Sequence, residues 1–209
     1  MAIVPFILQG TNQTIVKDQG EWTLEGNVIL MREIDENQMT KPDEPNTSYD
    51  LRVGEVYLDH RETRQMALTD GGIIKLPPGS AFIIETMEEV RFPKTRFGQI
   101  VPKVNLLKKG ISNTTSKIDP GYNGKLLVTV FNLGKNTVPL KKGEKFCTMI
   151  VQTIHGSGVK HYNKPAQQIP SNPEGNLRGK IKDIITGPYM GFISIIVSAL
   201  VAIGVAIYG

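Results

Sequence analysis

Cysteine and histidine are scarce in this 209-residue chain, and that scarcity excludes whole classes of function. The single cysteine, Cys147, allows no intramolecular disulfide framework and no multi-thiolate metal site, and His60, His155 and His161 are too scattered to make a ligand cluster. Structural zinc is excluded on that count. Sustained helical periodicity is missing before about residue 175, which argues against an α/β nucleotide fold. A large charge excess is missing too. The 24 Lys and Arg stand against 20 Asp and Glu, a formal net charge of +4 that is too small and too dispersed for a nucleic-acid binder. The last absence is local: no Lys, Arg, Asp or Glu occurs beyond Asp183.

What is present is a series of short β-rich runs. With 40% hydrophobic and 7% aromatic residues the chain can bury one sizeable core. The runs EWTLEGNVIL, YDLRVGEVYL, GGIIKL, SAFIIETMEEVRF, GKLLVTVFNL, TVPL and KFCTMIVQTI are separated by turn residues such as Pro77-Pro78-Gly79, Pro120-Gly121 and Lys142-Gly143-Glu144. They predict one all-β domain over residues 25–155, a sandwich or barrel of many short strands. Residues 1–24 read as an arm or an added strand. Their opening, MAIVPFILQGTNQ, has no basic leader and is broken by Pro5, so it is not expected to be a secretory signal.

Residues 156–187 begin as a Gly-, Pro-, Ser- and Asn-rich stretch and read as an extended tail and linker. Residues 188–209 follow as a predicted transmembrane helix. About twenty apolar or small residues from Tyr189 to Tyr208 suffice, at about 1.5 Å per residue, to cross a bilayer core of roughly 30 Å. Tyr189 and Tyr208 fall where interfacial aromatics belong. Arg178, Lys180 and Lys182 precede the span and no charge follows it, so the positive-inside rule keeps the β domain on the cytoplasmic side of a single-pass, tail-anchored protein. Ser194, Ser198, Ala202 and Ala206 recur every four residues, either a face for helix association in the lipid bilayer or ordinary small-residue content.

Several segments carry a more specific signal. The runs Ser48-Tyr49-Asp50-Leu51-Arg52-Val53-Gly54, Leu76-Pro77-Pro78-Gly79, Glu85-Thr86-Met87-Glu88-Glu89-Val90-Arg91-Phe92-Pro93, Ile118-Asp119-Pro120-Gly121-Tyr122-Asn123-Gly124 and Phe131-Asn132-Leu133-Gly134 occur in that order. Further on come Lys142-Gly143-Glu144-Lys145-Phe146 and the tail run His161-Tyr162-Asn163-Lys164-Pro165-Ala166-Gln167-Gln168. In order and spacing the set resembles the dCTP deaminase and dUTPase superfamily over about residues 25–172. The resemblance implies a distorted jelly-roll β-barrel that assembles as a homotrimer with nucleotide sites between subunits. It implies Asp119 as the water-orienting base, and Tyr122, Gln99, Lys103 and Gln168 at nucleotide-contacting positions. No cofactor is expected beyond Mg2+, and that only if nucleotide hydrolysis persists. The chemistry suits those residue types: a carboxylate is the usual base for water where no histidine serves, and an aromatic face fills the space a 2′-hydroxyl would need. The Asp-Pro-Gly-Tyr-Asn-Gly run is equally a good tight turn on local grounds.

The departures are as informative. Where the deaminase branch has a proton-shuttling Glu on the following strand, this chain has Thr129, and loss of a general acid or base costs on the order of 10²–10⁴ in rate. Where the family has a Gly-Arg-Ser-Ser run for the triphosphate, it reads Gly98-Gln99-Ile100-Val101-Pro102-Lys103: an amide and hydrocarbons replace an Arg fork, with Lys103 as a partial point-charge substitute. Lys117, just before Ile118, either crowds the site or meets an anion, and the sequence leaves both open. Three readings follow. The first is a membrane-anchored trimer that kept the fold and lost the chemistry, a structural or interaction module for a virion or other membrane assembly and its capsid or assembly proteins. The second is an active dUTPase-like pyrophosphatase, rather than a dCTP deaminase. The third is a nucleotide sensor without turnover. Elsewhere the expectations are plain: Glu88 and Glu89 beside Arg91 on a solvated strand edge, Lys141, Lys142 and Lys145 on a solvent-facing turn, Lys108 and Lys109 flanking a loop, Trp22 and residues 28–31 packed in the barrel, and Cys147 buried and inert.

Overall fold

Alternation of inward and outward residues runs through all of AFIIETMEEVR and through the first five residues of YDLRVGEVYLD. These become the two longest strands, β3 (Tyr49–Asp59) and β6 (Ala81–Arg91), in a computed structural model that describes residues 2–39, 44–156 and 159–169. Around them lie β1 (Ile15–Lys17), β2 (Ile29–Arg32), β4 (Met66–Ala67), β5 (Ile73–Leu76), β7 (Arg96–Pro102), β8 (Ile111–Asn113), β9 (Ser116–Ile118), β10 (Asn123–Asn132), β11 (Val138–Lys141) and β12 (Lys145–Thr153). Among the described residues the one α-helix is the single turn α1 (Val104–Leu107). The expected all-β class is therefore what these residues form.

Strand β6 is the spine. One edge pairs with β10, from Phe131 opposite Ala81 to Asn123 opposite Arg91, and the other pairs first with β3 and then with β2. Strand β3 joins this half to a second, in which β12 lies between β3 and β7 and β9 follows β7. Where β3 leaves β12, the N-terminal segment takes its place: Val4 N–H donates to the Val151 carbonyl and Thr153 N–H to that of Ala2, each at 2.9 Å. Of the stretch 1–24 expected as an arm or added strand, residues 2–4 run extended along β12, whereas Ile15–Lys17 form β1 in parallel with β2. Strands β5 and β11 form a separate antiparallel pair. One core gathers Phe6, Ile15, Met31, Leu51, Ile84, Val128 and Met149, among others.

Two segments depart from the expected pattern. Residues 21–27 are turn and coil rather than strand, because Thr23 and Gly26 close a turn (Gly26 N–H to Thr23 carbonyl, 3.1 Å) before β2 begins. Ile29 and Met31 do enter the core, whereas Trp22 stays half-buried outside it. The run Gly98–Lys103, read above as a replaced phosphate run, lies up to Pro102 within β7, in which Arg96, Gly98 and Ile100 face inward. Cys147 is buried, and burial first, with Glu88 and Asp50 next, pushes its thiol well above the ordinary range. Lys108 and Lys109 are exposed beside α1. The tail beyond residue 169, with the expected span 189–208, lies outside the described residues. Among the described residues no helix is long and apolar enough to cross a membrane.

The largest correction concerns Glu88. It is fully buried rather than solvated, because β6 turns every second side chain inward and Glu88 is in phase with Phe82, Ile84, Thr86 and Val90. Its carboxylate accepts three hydrogen bonds: from the Tyr49 hydroxyl (2.9 Å) and Arg52 Nε (2.7 Å) on Oε1, and from the Arg52 backbone N–H (3.0 Å) on Oε2. The Tyr49 hydroxyl in turn accepts from the Asp35 backbone N–H at 2.8 Å, and Arg52 also reaches the Glu33 carbonyl. Burial, reinforced by the Glu88 charge, pushes the Tyr49 phenol above its ordinary value. Glu89, one residue on, faces outward and pairs with Arg32 at 3.2 Å. Lys142 is also more engaged than a solvent-facing turn requires: its ammonium bridges Glu55 and Asp70 at 2.9 Å each.

Removing one partner of a buried ion pair strands the other. Glu88→Ala is expected to cost about 3 kcal/mol in denaturant unfolding, and Tyr49→Phe, which deletes one hydrogen bond, about 1 kcal/mol. A loss below about 1 kcal/mol for Glu88→Ala would show that Arg52 and Tyr49 do not depend on this carboxylate.

Candidate functional site

The turn Asp119–Asn123 carries the residues the sequence singled out. Asp-Pro-Gly supplies its geometry, with Gly121 at φ +79°, and the Tyr122 N–H closes it on the Asp119 carbonyl at 3.1 Å. The Tyr122 carbonyl accepts from the Phe92 N–H at 2.8 Å, which ties the turn to the end of β6. Asp119 and Tyr122 then line one recess of about 420 Å3, a size suited to a small ligand. Ile100, Ser116, Leu127, Tyr162 and Gln167 share its walls. A second recess of about 430 Å3 adjoins it through Lys117, Asp119 and Tyr162, and adds Lys160, His161 and Lys164.

The chain's own tail builds much of this. The Tyr162 N–H donates to the Pro120 carbonyl at 2.7 Å, and its ring meets that of Tyr122 with centroids 5.3 Å apart and planes tilted by 51°. Ala166 lies so close to Gly124 that a Cβ added there would fall 2.4 Å from the Ala166 Cβ, and φ at Gly124 is +142°. Tyr122 donates its hydroxyl to the Lys125 carbonyl. Burial, with Tyr162 and Glu85 nearby, pushes its phenol up to about 12.

The electrostatics centre on one pair. Lys117 Nζ donates to Asp119 Oδ1 at 2.7 Å, so of the two alternatives left open above this lysine meets an anion, the chain's own. The pair is exposed at the lysine and one-third exposed at the carboxylate, where such contacts are worth at most about 1 kcal/mol. Asp119 is the single carboxylate lining either recess. Among the described residues no three His, Cys, Asp or Glu side chains converge to hold a metal ion, so the donor set does not fit a protein-held Mg2+.

The other sequence-selected residues lie elsewhere. Gln99 is opposite Lys117 in the β7–β9 pairing, but its neighbour Ile100 lines the recess, because alternate residues of β7 face opposite sides. Lys103, beyond the end of β7, is ion-paired to Asp50, whose other oxygen accepts from Thr148 Oγ1 at 2.6 Å. Gln168 is exposed, and the preceding Gln167 reaches the recess instead. Thr129 is half-buried on β10 and does not line the recess, whereas Leu127 does. Tyr162 is the residue that sequence reasoning passed over; its one signal was an aromatic inside the tail run.

Two outcomes test this geometry. Gly124→Ala is expected to push the tail away and raise hydrogen exchange at residues 161–168, while β12 stays protected. Unchanged exchange would mean the tail does not rest on Gly124. The fold favours the neutral Tyr122 phenol. Its contribution to stability is therefore complete below about pH 10, the unfolded value, and is lost as pH rises toward about 12. Tyr122→Phe is expected to unfold with a shallower alkaline loss of stability.

Comparison with known proteins places these features in a family. The family model described as dCTP deaminase-like matches residues 21–154. The dCTP deaminase of Thermococcus kodakarensis is 29% identical over 115 residues, covering 54% of this chain and 72% of that protein. A probable deoxyuridine 5′-triphosphate nucleotidohydrolase of Methanothermobacter thermautotrophicus is 28% identical over 118 residues, covering 52% and 79%. The crystal structure of 2′-deoxycytidine 5′-triphosphate deaminase from Agrobacterium tumefaciens superposes with a TM-score of 0.49 at 18% identity, over 59% of this chain and 43% of that one. With the family model spanning more than half of its length, the chain belongs to the dCTP deaminase-like family.

Proposed function

We propose that this family member has kept the nucleotide-site architecture and lost its turnover, and that it works as a membrane-anchored homotrimer with a structural or interaction role. The observation that carries the reading is the Lys117–Asp119 pair. The one carboxylate lining the recess has an ammonium on Oδ1, the hydrocarbon of Ile100 and Leu127 shares the lining, and neither recess contains an arginine to clamp a triphosphate. Phosphoryl transfer depends mainly on positioning and charge neutralisation, so a site without the clamp lacks the main source of rate. The anchor rests on the uncharged stretch 189–208 and the basic residues before it.

A second reading, dUTPase-like hydrolysis, draws on a different observation: Asp119 and Tyr122 do share one recess of nucleotide-compatible size. In that case Lys117 would have to leave Asp119 when the phosphates arrive, any Mg2+ coming with them.

The full-length protein incubated with dCTP or dUTP and Mg2+ is expected to release neither ammonia nor pyrophosphate above the protein-free blank. Turnover that Asp119→Asn abolishes overturns the proposal. Nucleotide-dependent thermal stabilisation without turnover would favour the sensor instead. Deleting residues 188–209 is expected to free the protein from alkaline-washed membranes, and continued membrane retention would remove the anchor from the reading.

A further inference from the structure

Arg96, at the start of β7, is 9% exposed and has no acidic partner among the described residues. One terminal nitrogen, Nη1, donates to Thr153 Oγ1 at 3.1 Å and lies 3.5 Å from the Thr95 carbonyl. The Nε atom is buried with no acceptor, which leaves the Nε–Nη2 edge of the guanidinium unengaged. That edge, two parallel N–H groups in a fixed plane, is the one that takes an oxyanion side-on. A buried cation without a counter-charge is costly to maintain, and here the only influence on its proton affinity is the burial that lowers it.

A second buried donor without an acceptor lies on the loop bonded to Lys94 and Thr95, the two residues before Arg96. Trp22 Nε1 is also buried without an acceptor. Its loop is stitched to the residues before Arg96: Lys94 N–H donates to the Leu24 carbonyl (2.8 Å), Thr95 Oγ1 to the Gly26 carbonyl (2.7 Å), and Lys94 pairs with Glu25. A lone orphan could be met by a water. Two buried donors on stitched segments, one of them a full positive charge, ask for an acceptor with several oxygens and negative charge.

We infer that Arg96, with Thr153 and the Trp22 loop, forms a binding site for a small tetrahedral oxyanion, phosphate being the representative, separate from the recess at Asp119. A side chain of another molecule is disfavoured as occupant, because the Nε atom is already covered by this chain and only a small ion passing through local opening reaches it. The site does not depend on the nucleotide reading.

Trp22 is the only tryptophan, so its emission reports on this place alone. Inorganic phosphate titrated into the full-length protein, at ionic strength held constant with chloride, is expected to change Trp22 emission saturably and to raise the unfolding temperature. Arg96→Met, close in length and uncharged, is expected to lose both responses while folding without phosphate, and Arg96→Lys to weaken them at least several-fold. Asp119→Asn is expected to keep both, which separates this site from the recess whatever that recess binds. A wild-type protein that shows no difference between phosphate and chloride overturns the inference. So does an emission change that survives in Arg96→Met, disappears in Asp119→Asn, or follows protein concentration rather than phosphate.

Discussion

A carboxylate in the middle of an apolar strand face sets the terms for the rest of the structure. Glu88 occupies an inward position of β6, and a buried charge persists only where donors converge on it. Tyr49 and Arg52 are those donors, both on β3, and their spacing places them on Glu88 just where β3 leaves its pairing with β12 and joins β6. The same two side chains bind the backbone at Glu33 and Asp35, so the segment after β2 is held by the same point. Apolar packing would tolerate a sliding strand. Three hydrogen bonds to one carboxylate do not, and the register of β3 against β6 is correspondingly single-valued.

Just past the same end of β6 the constraint is geometric. The turn at Asp119–Asn123 needs a left-handed glycine and hangs from Phe92, so Tyr122 has little freedom, and the tail packs Tyr162 against its ring. A recess made this way can have its charge altered without disturbing its shape. Lys117 changes which atoms of Asp119 face a visitor, yet it belongs to β9 and bears on neither the turn nor the aromatic pair.

The parts legible in the sequence were those governed by short-range alternation. β3, β6, β10 and β12 lie close to where their runs suggested, because inward and outward positions repeat every two residues. The same rule, followed without regard to charge, would have put Glu88 inside with Phe82, Ile84 and Val90; its charge argued for solvent, and the partners that reverse that argument lie 36 and 39 residues away. β7 was hidden for a different reason. Its inward positions are an arginine, a glycine and an isoleucine, a poor apolar stripe, and it overlaps the place where the family's phosphate-binding run would stand. Of the site, Asp119 and Tyr122 were visible through the resemblance of their run to the family's, turn chemistry alone accounting only for the bend, whereas Tyr162 and Gln167 come from a segment about forty residues later that only the folded chain brings back.

The N-terminal segment along β12 has a consequence in time. Ala2 and Val4 bond to Thr153 and Val151, on the last strand of the domain. During synthesis residues 2–4 therefore wait for nearly the whole domain before their partners exist, and closing so long a loop is slow compared with local pairing. An assembling domain that still lacks β12 leaves β3 and β7 without the strand that joins them, and residues 2–4 without an anchor. Residues 2–4 are among the last parts of the domain to be locked, and they act as its latch.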